Sequence, residues 1–160
     1  MKRTTKKGFT LVEILIVVII LGILAAIVIP QFTQASTEAK ISNLRTNLQT
    51  IRSQLLLYRM QHDGEVYPGS DFVNQMIQYT NTVGVAQAAR DSTHNLGPYL
   101  QSIPINPISN SNVVRIETGT FTAPSADAGW WFNSTTGEFR ADVTTSTTHT
   151  TADGTAYNAL

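Results

Sequence analysis

The sequence predicts an α+β protein in which one long N-terminal helix, half of it transmembrane, packs on a small antiparallel β-sheet head. Three observations predict it. Residues Leu11 to Ile29 form an apolar run interrupted by a single charge, Glu13. A stripe of apolar residues at helical spacing follows, at Ile41, Leu44, Leu48, Ile51, Leu55 and Tyr58. Beyond Gly64 short strand and turn signals replace the helical ones.

The apolar run holds nineteen residues, which as a helix would rise about 28 Å, close to the hydrocarbon thickness of a bilayer. Lys2, Arg3, Lys6 and Lys7 precede it and acids follow, so the N-terminus is expected in the cytoplasm and the rest outside. A cleaved secretory signal fits less well. The run exceeds the usual apolar stretch of ~7 to 15 residues, and no A-x-A-like site follows. A plain anchor would leave Glu13 without a purpose, although a carboxylate within a membrane segment costs up to about 3 kcal/mol near the bilayer centre.

From Gln31 the helix is expected to continue to His62, its apolar stripe turned to the head and Lys40, Asn43, Arg45, Asn47, Arg52 and Gln54 on the other faces. From Phe9 such a helix would be about 80 Å long. Asp63-Gly64 ends it, the glycine supplying a left-handed cap. Gly22 and Pro30 weaken it: glycine has poor helix propensity, and Pro30 cannot donate to the Ala26 carbonyl. Next, YPGS marks a turn. Asp71 is expected to cap a short helix carrying Phe72, Met76 and Tyr79 on one face. GPYL (97–100) and IPINP (103–107) read as loops, Val113 to Glu117 as a strand, and GWWFN and EFRAD as a hairpin joined by STTG. Trp130, Phe132, Phe139 and Tyr99 are expected in the core. The Thr-rich end buries little apolar area and is expected to be mobile. The domains are thus a leader over 1–8, a membrane helix over 9–30, an amphipathic helix over 31–62, a head over 63–143 and a flexible tail over 144–160.

Composition excludes much. There is no cysteine, so no disulfide or thiolate chemistry is available. Without the first eight residues, seven basic residues face eleven acidic ones, and the head's cations are few, at Arg90, Arg115 and Arg140. Nucleic acid is therefore not an expected partner. An enzyme would have to draw on His62, His94 or His149. The Asp91-Ser92-Thr93-His94 run is a polar loop rather than a triad, and His62 is expected at the helix end, meeting free carbonyls. No phosphate loop, dinucleotide fingerprint or metal-ligand spacing occurs. No catalytic residue is expected.

Lys6-Lys7-Gly8-Phe9-Thr10-Leu11-Val12-Glu13, followed by the apolar run, resembles the leader of type IV pilins and type II secretion pseudopilins. The resemblance implies a pilin-like fold, cleavage by a prepilin peptidase between Gly8 and Phe9, and N-methylation of Phe9. Gly8 suits such a cut because a side chain there would crowd the scissile bond. It also implies that Glu13 of an incoming subunit meets the Phe9 amine of a neighbour, fixing registry. In related filaments the stretch bounded by the residues matching Gly22 and Pro30 unwinds on assembly. A simple kink is the alternative for the isolated subunit. GPYL, the IP-x-x-P segment and the W-x-F…TGEF hairpin more loosely resemble the head of the major type II pseudopilin. Such relatives often hold calcium through a C-terminal acidic loop. Here TTSTTHTTADGTAYNAL offers a single Asp153, so no ligand set is evident and no cofactor is expected. The cysteine pair of many type IV pilins is also missing.

The function this implies is that of a structural subunit of a pilus-like filament, foremost a pseudopilin whose periplasmic filament drives protein export. The alternatives are a type IV pilus subunit, serving adhesion, motility or DNA uptake, and a membrane-tethered binding head that never polymerises. The expected partners are the peptidase and methyltransferase, other pilins or pseudopilins, an inner-membrane assembly platform and the lipid bilayer.

Overall fold

A computed structural model describes residues 8–143 and 156–159. The leader residues 1–7 and most of the expected tail, including His149 and Asp153, lie outside the described residues. The chain divides into two units, Met1–Ala39 and Lys40–Leu160.

The first unit holds the beginning of helix α1 (Leu11–Gln61). Its side chains from Leu11 to Ile29 are exposed, and the helix is long and apolar enough to cross a membrane. An uncovered apolar surface of this extent calls for lipid or neighbouring helices rather than water. The helix is continuous through Gly22 and Pro30, although Pro30 donates no bond to the ladder.

In the second unit the remainder of α1 supplies one wall of the core. Leu44, Leu48, Ile51, Leu55 and Tyr58 are buried and Ile41 is partly buried, the stripe that the sequence spacing predicts. The helix stops at Gln61. His62 is extended, and Gly64 adopts φ 76° inside a short 3-10 turn, Asp63–Glu65. Helix α2 (Phe72–Ile77) follows, with Phe72 and Met76 buried. Asp71 stands before it but does not cap it through its side chain; it accepts instead from the Asn74 amide group, 2.8 Å away. Tyr79, expected on this helix, belongs to strand β1 (Tyr79–Thr80), which pairs antiparallel with β2 (Ala86–Gln87).

The main sheet is β3 (Val114–Glu117), β4 (Trp130–Asn133) and β5 (Phe139–Ala141), in that order. β4 and β5 form the expected hairpin, with Trp130 opposite Ala141 and Phe132 opposite Phe139. β3 and β4, however, run parallel, so the sheet is mixed rather than antiparallel throughout. The reason lies in the connection. Residues 118–129 are about the dozen that a parallel crossover needs, whereas a tight turn would reverse the chain.

Alternation along the strands sorts the two faces. Val114, Ile116, Trp130, Phe132, Phe139 and Ala141 join α1 and α2 in the core. Trp131 points the other way yet is also buried, its ring edge-on to Phe121 of the crossover at 5.4 Å. Loop segments complete the core. Tyr99 and Leu100 donate their amides to the Met76 carbonyl, and the Trp130 indole donates to Pro104 O at 2.8 Å. Within the segment expected to be a mobile tail, the described residues 156–159 depart from that expectation: Tyr157, in a 3-10 turn over Tyr157–Ala159, is only 2% exposed and lies in the same core cluster. A single large aromatic buries enough area to hold its own short turn against the core.

Candidate functional site

Gly8, Phe9 and Thr10 precede the first helical residue, Leu11. Phe9 is exposed. Glu13 sits in the first turn of α1, and its carboxylate Oε2 receives both the Thr10 amide and the Thr10 hydroxyl, each at 2.8 Å. In return the Glu13 amide donates to Thr10 Oγ1 at 3.2 Å. This reciprocal arrangement is a capping box, with Thr10 as the N-cap and Glu13 as its third helical residue. It satisfies amides that the helix start would otherwise leave open, and it places a negative group at the positive end of the helix dipole. Among the described residues Oε1 of Glu13 receives no hydrogen bond. Thr10 was not among the residues singled out from sequence, although Thr-x-x-Glu before an apolar run is the signal for it.

The bond between Gly8 and Phe9 therefore lies outside the helix, two residues before its first turn. Gly22 and Pro30 lie within α1. Close to Pro30, the Thr33 hydroxyl donates to Ile29 O at 3.2 Å and the Thr37 hydroxyl to Thr33 O at 3.0 Å. Side-chain bonds of this kind compete with the helix ladder.

The other titratable clusters hold the fold. Asp91 accepts from the Thr93 amide and hydroxyl and from the His94 amide, at 2.6 to 2.8 Å. These bonds, that of the His94 amide foremost, hold its carboxyl well below the usual carboxylate range. His94 Nδ1 lies 3.1 Å from the same oxygen. The group is a closed loop turn rather than an aligned nucleophile and base. His62 meets a carbonyl as expected: its Nδ1 is 2.7 Å from Tyr58 O and its Nε2 is 3.0 Å from Thr80 Oγ1. A carbonyl only accepts, so Nδ1 carries the proton and Nε2 accepts from the threonine. The ring is buried and stacks on Tyr58 at 3.6 Å. Burial lowers its pKa, against the opposing pull of the Tyr58 carbonyl and Asp63.

Two of the head's cations, Arg115 and Arg140, are engaged within it. Arg115 bonds Asp142 and Glu117, and Arg140 bonds Glu138. The Arg52 guanidinium donates through Nε and Nη2 to Phe139 O.

Comparison with known proteins places this geometry. The family described as the prokaryotic N-terminal methylation motif matches residues 3–29. Type II secretion system core protein G of Pseudomonas aeruginosa is 32% identical over 117 residues, 69% of this chain and 73% of that protein. The chain belongs to the pilin and pseudopilin family. Core protein G of Vibrio cholerae is likewise 32% identical, over 69% of this chain and 71% of its own. A type IV major pilin of Neisseria gonorrhoeae is 31% identical over 64% of this chain but 41% of its own length. No solved structure matches at a significant level. The pilin-like helix and head thus belong to a structural filament subunit, and the matched methylation motif covers Gly8, Phe9 and Glu13 together.

Calcium, which the family resemblance implies, finds no fitting donor set among the described residues. No group of three or more His, Asp or Glu side chains converges there. Asp142 and Glu117 do converge, and the cation between them is the Arg115 guanidinium.

Proposed function

We propose that this pseudopilin-family chain is a subunit of a type II secretion filament, anchored in the cytoplasmic membrane by α1 with its head on the far side. A prepilin peptidase cuts between Gly8 and Phe9 and the new Phe9 amine is methylated. The amine then pairs with Glu13 of an adjacent subunit while Glu13 remains in its own capping box. The observation that carries the reading is the extent of the likeness to core protein G: it runs through more than two thirds of both chains and so must extend beyond the N-terminal helix into the head. The methylation motif alone would not separate a pseudopilin from a pilin.

The test is to delete the gene in its host and to compare the secreted proteins and the surface fibres with those of a complemented strain. Loss of exported proteins with surface pili intact supports the reading. Loss of pili with secretion unchanged would instead establish the type IV pilus role, which the likeness to major pilins favours. The processing step has its own readout. The mature mass should begin at methylated Phe9, and Gly8→Leu should leave an uncut precursor. Subunits that never polymerise would give no disulfide crosslinks between cysteines introduced along Leu11 to Ile29.

A further inference from the structure

The outer face of the β3–β4–β5 sheet is closed by the crossover of residues 118–129, and one side chain gathers that closure. Arg115 lies on β3 opposite Trp131. Its Nε donates to Asp142 Oδ2 at 2.8 Å, its Nη1 to Glu117 Oε1 at 2.8 Å and its Nη2 to Ala123 O at 2.7 Å. The guanidinium carbon lies 5.6 Å from the centre of the Phe121 ring. Asp142 has no exposed surface. Its second oxygen accepts the Ser125 amide at 2.8 Å, which pins the crossover a second time. Glu117 Oε2 accepts the Trp131 indole at 2.8 Å.

Two carboxylates and a backbone carbonyl surround one position, an electronegative cluster that needs a cation but offers fewer oxygens than calcium takes. In this chain a guanidinium sits there, and its planar fork supplies separate donors to all three oxygens. We infer that Arg115 is the built-in cation of the head, closing the crossover over Trp131 without a metal ion. Removing it leaves the buried Asp142 carboxylate without its countercharge, and an orphaned partner of a buried pair is strongly destabilising. The proposal concerns the head alone and stands whether the filament is a pseudopilus or a pilus.

The experiment is thermal unfolding of the mature full-length chain in detergent micelles, followed by near-ultraviolet circular dichroism. The buried Trp130 and Trp131 both report there. Wild-type protein should melt at the same midpoint in excess EGTA and in excess calcium chloride. Arg115→Gln should lower the midpoint by roughly 10 °C or more and open the crossover to proteolysis. Arg115→Lys should recover only part of that loss, because an ammonium cannot reach the three oxygens as a fork. A wild-type midpoint that falls in EGTA overturns the proposal, as does an Arg115→Gln variant that melts like wild type. Should Arg115→Gln fail to accumulate, the chelator comparison on wild type and the Arg115→Lys midpoint still decide it.

Discussion

Replacing Tyr157 by alanine removes a ring that is 2% exposed and packed in the cluster containing Phe139, Ala141 and Val143. Truncating a buried aromatic costs about 3 to 5 kcal/mol, the transfer loss plus the cavity left behind. A domain this size has a total stability of about 5 to 15 kcal/mol. One side chain near the end of the chain thus carries a third or more of the head's margin in most of that range. At about 4 °C per kcal/mol for roughly a hundred residues, the midpoint should fall by about 12 to 20 °C. Tyr157→Phe keeps the ring and should fall far less. The assay is thermal or urea unfolding of the mature chain in micelles, with amide exchange at β5 as a local readout, since the Tyr157–Ala159 turn packs on that strand. A Tyr157→Ala midpoint within about 2 °C of wild type, the range of surface substitutions, would refute the anchoring.

Other expectations follow from the same geometry. Because burial lowers the His62 pKa, the unfolded chain binds the proton more readily. The stability from the neutral ring is therefore complete above about pH 6.5 and is lost as pH falls below it, by at most about 1.4 kcal/mol per pH unit. Unfolding of His62→Gln should lack this acid limb. Gly137 adopts φ 75°, and a Cβ there would fall 2.1 Å from the Tyr67 ring, so Gly137→Ala should cost about 2 to 5 kcal/mol in a denaturant titration. Thr10→Ala should weaken the start of α1 by about 1 kcal/mol, seen as faster amide exchange over Leu11 to Glu13 with the head's midpoint unchanged. Glu13→Gln should leave that exchange slow, since glutamine also completes a capping box, but should impair filament assembly scored by electron microscopy.

The legible parts of the fold were those written in a repeat or a turn residue. The three-to-four spacing from Ile41 to Tyr58 gave the buried face of α1, and Gly64 and Gly137 marked turns that require positive φ. The parallel pairing of β3 with β4 was not legible, because a strand's composition does not state its direction; only the length of the crossover hints at it. β1 and β2, two residues each, are too short to carry a period. Tyr157 was lost behind a threonine run whose composition argued for solvent. At the N-terminus the charge at Glu13 is conspicuous, whereas its partner Thr10 is an ordinary residue that stands out only in answer to the question of which amides open the helix.

That question bears on how a carboxylate can stand in the first turn of a membrane helix at all. Its cost there is the cost of an unsatisfied charge, and the capping box answers half of it: Oε2 receives two Thr10 hydrogen atoms while the helix dipole favours the charge. The second oxygen is not committed within the described chain, and a cut before Phe9 creates a cation one residue from the N-cap. In the proposed docking a local partner and a neighbour's amine would thus not compete for one oxygen. Had Glu13 been held through both oxygens by its own helix, docking would have required breaking the cap. Had it been held by neither, the unassembled subunit would carry a bare charge in lipid. This division of acceptors is why Thr10→Ala and Glu13→Gln should separate: the first loosens a helix end while keeping the charge, and the second keeps the end while removing the charge that the proposed docking requires.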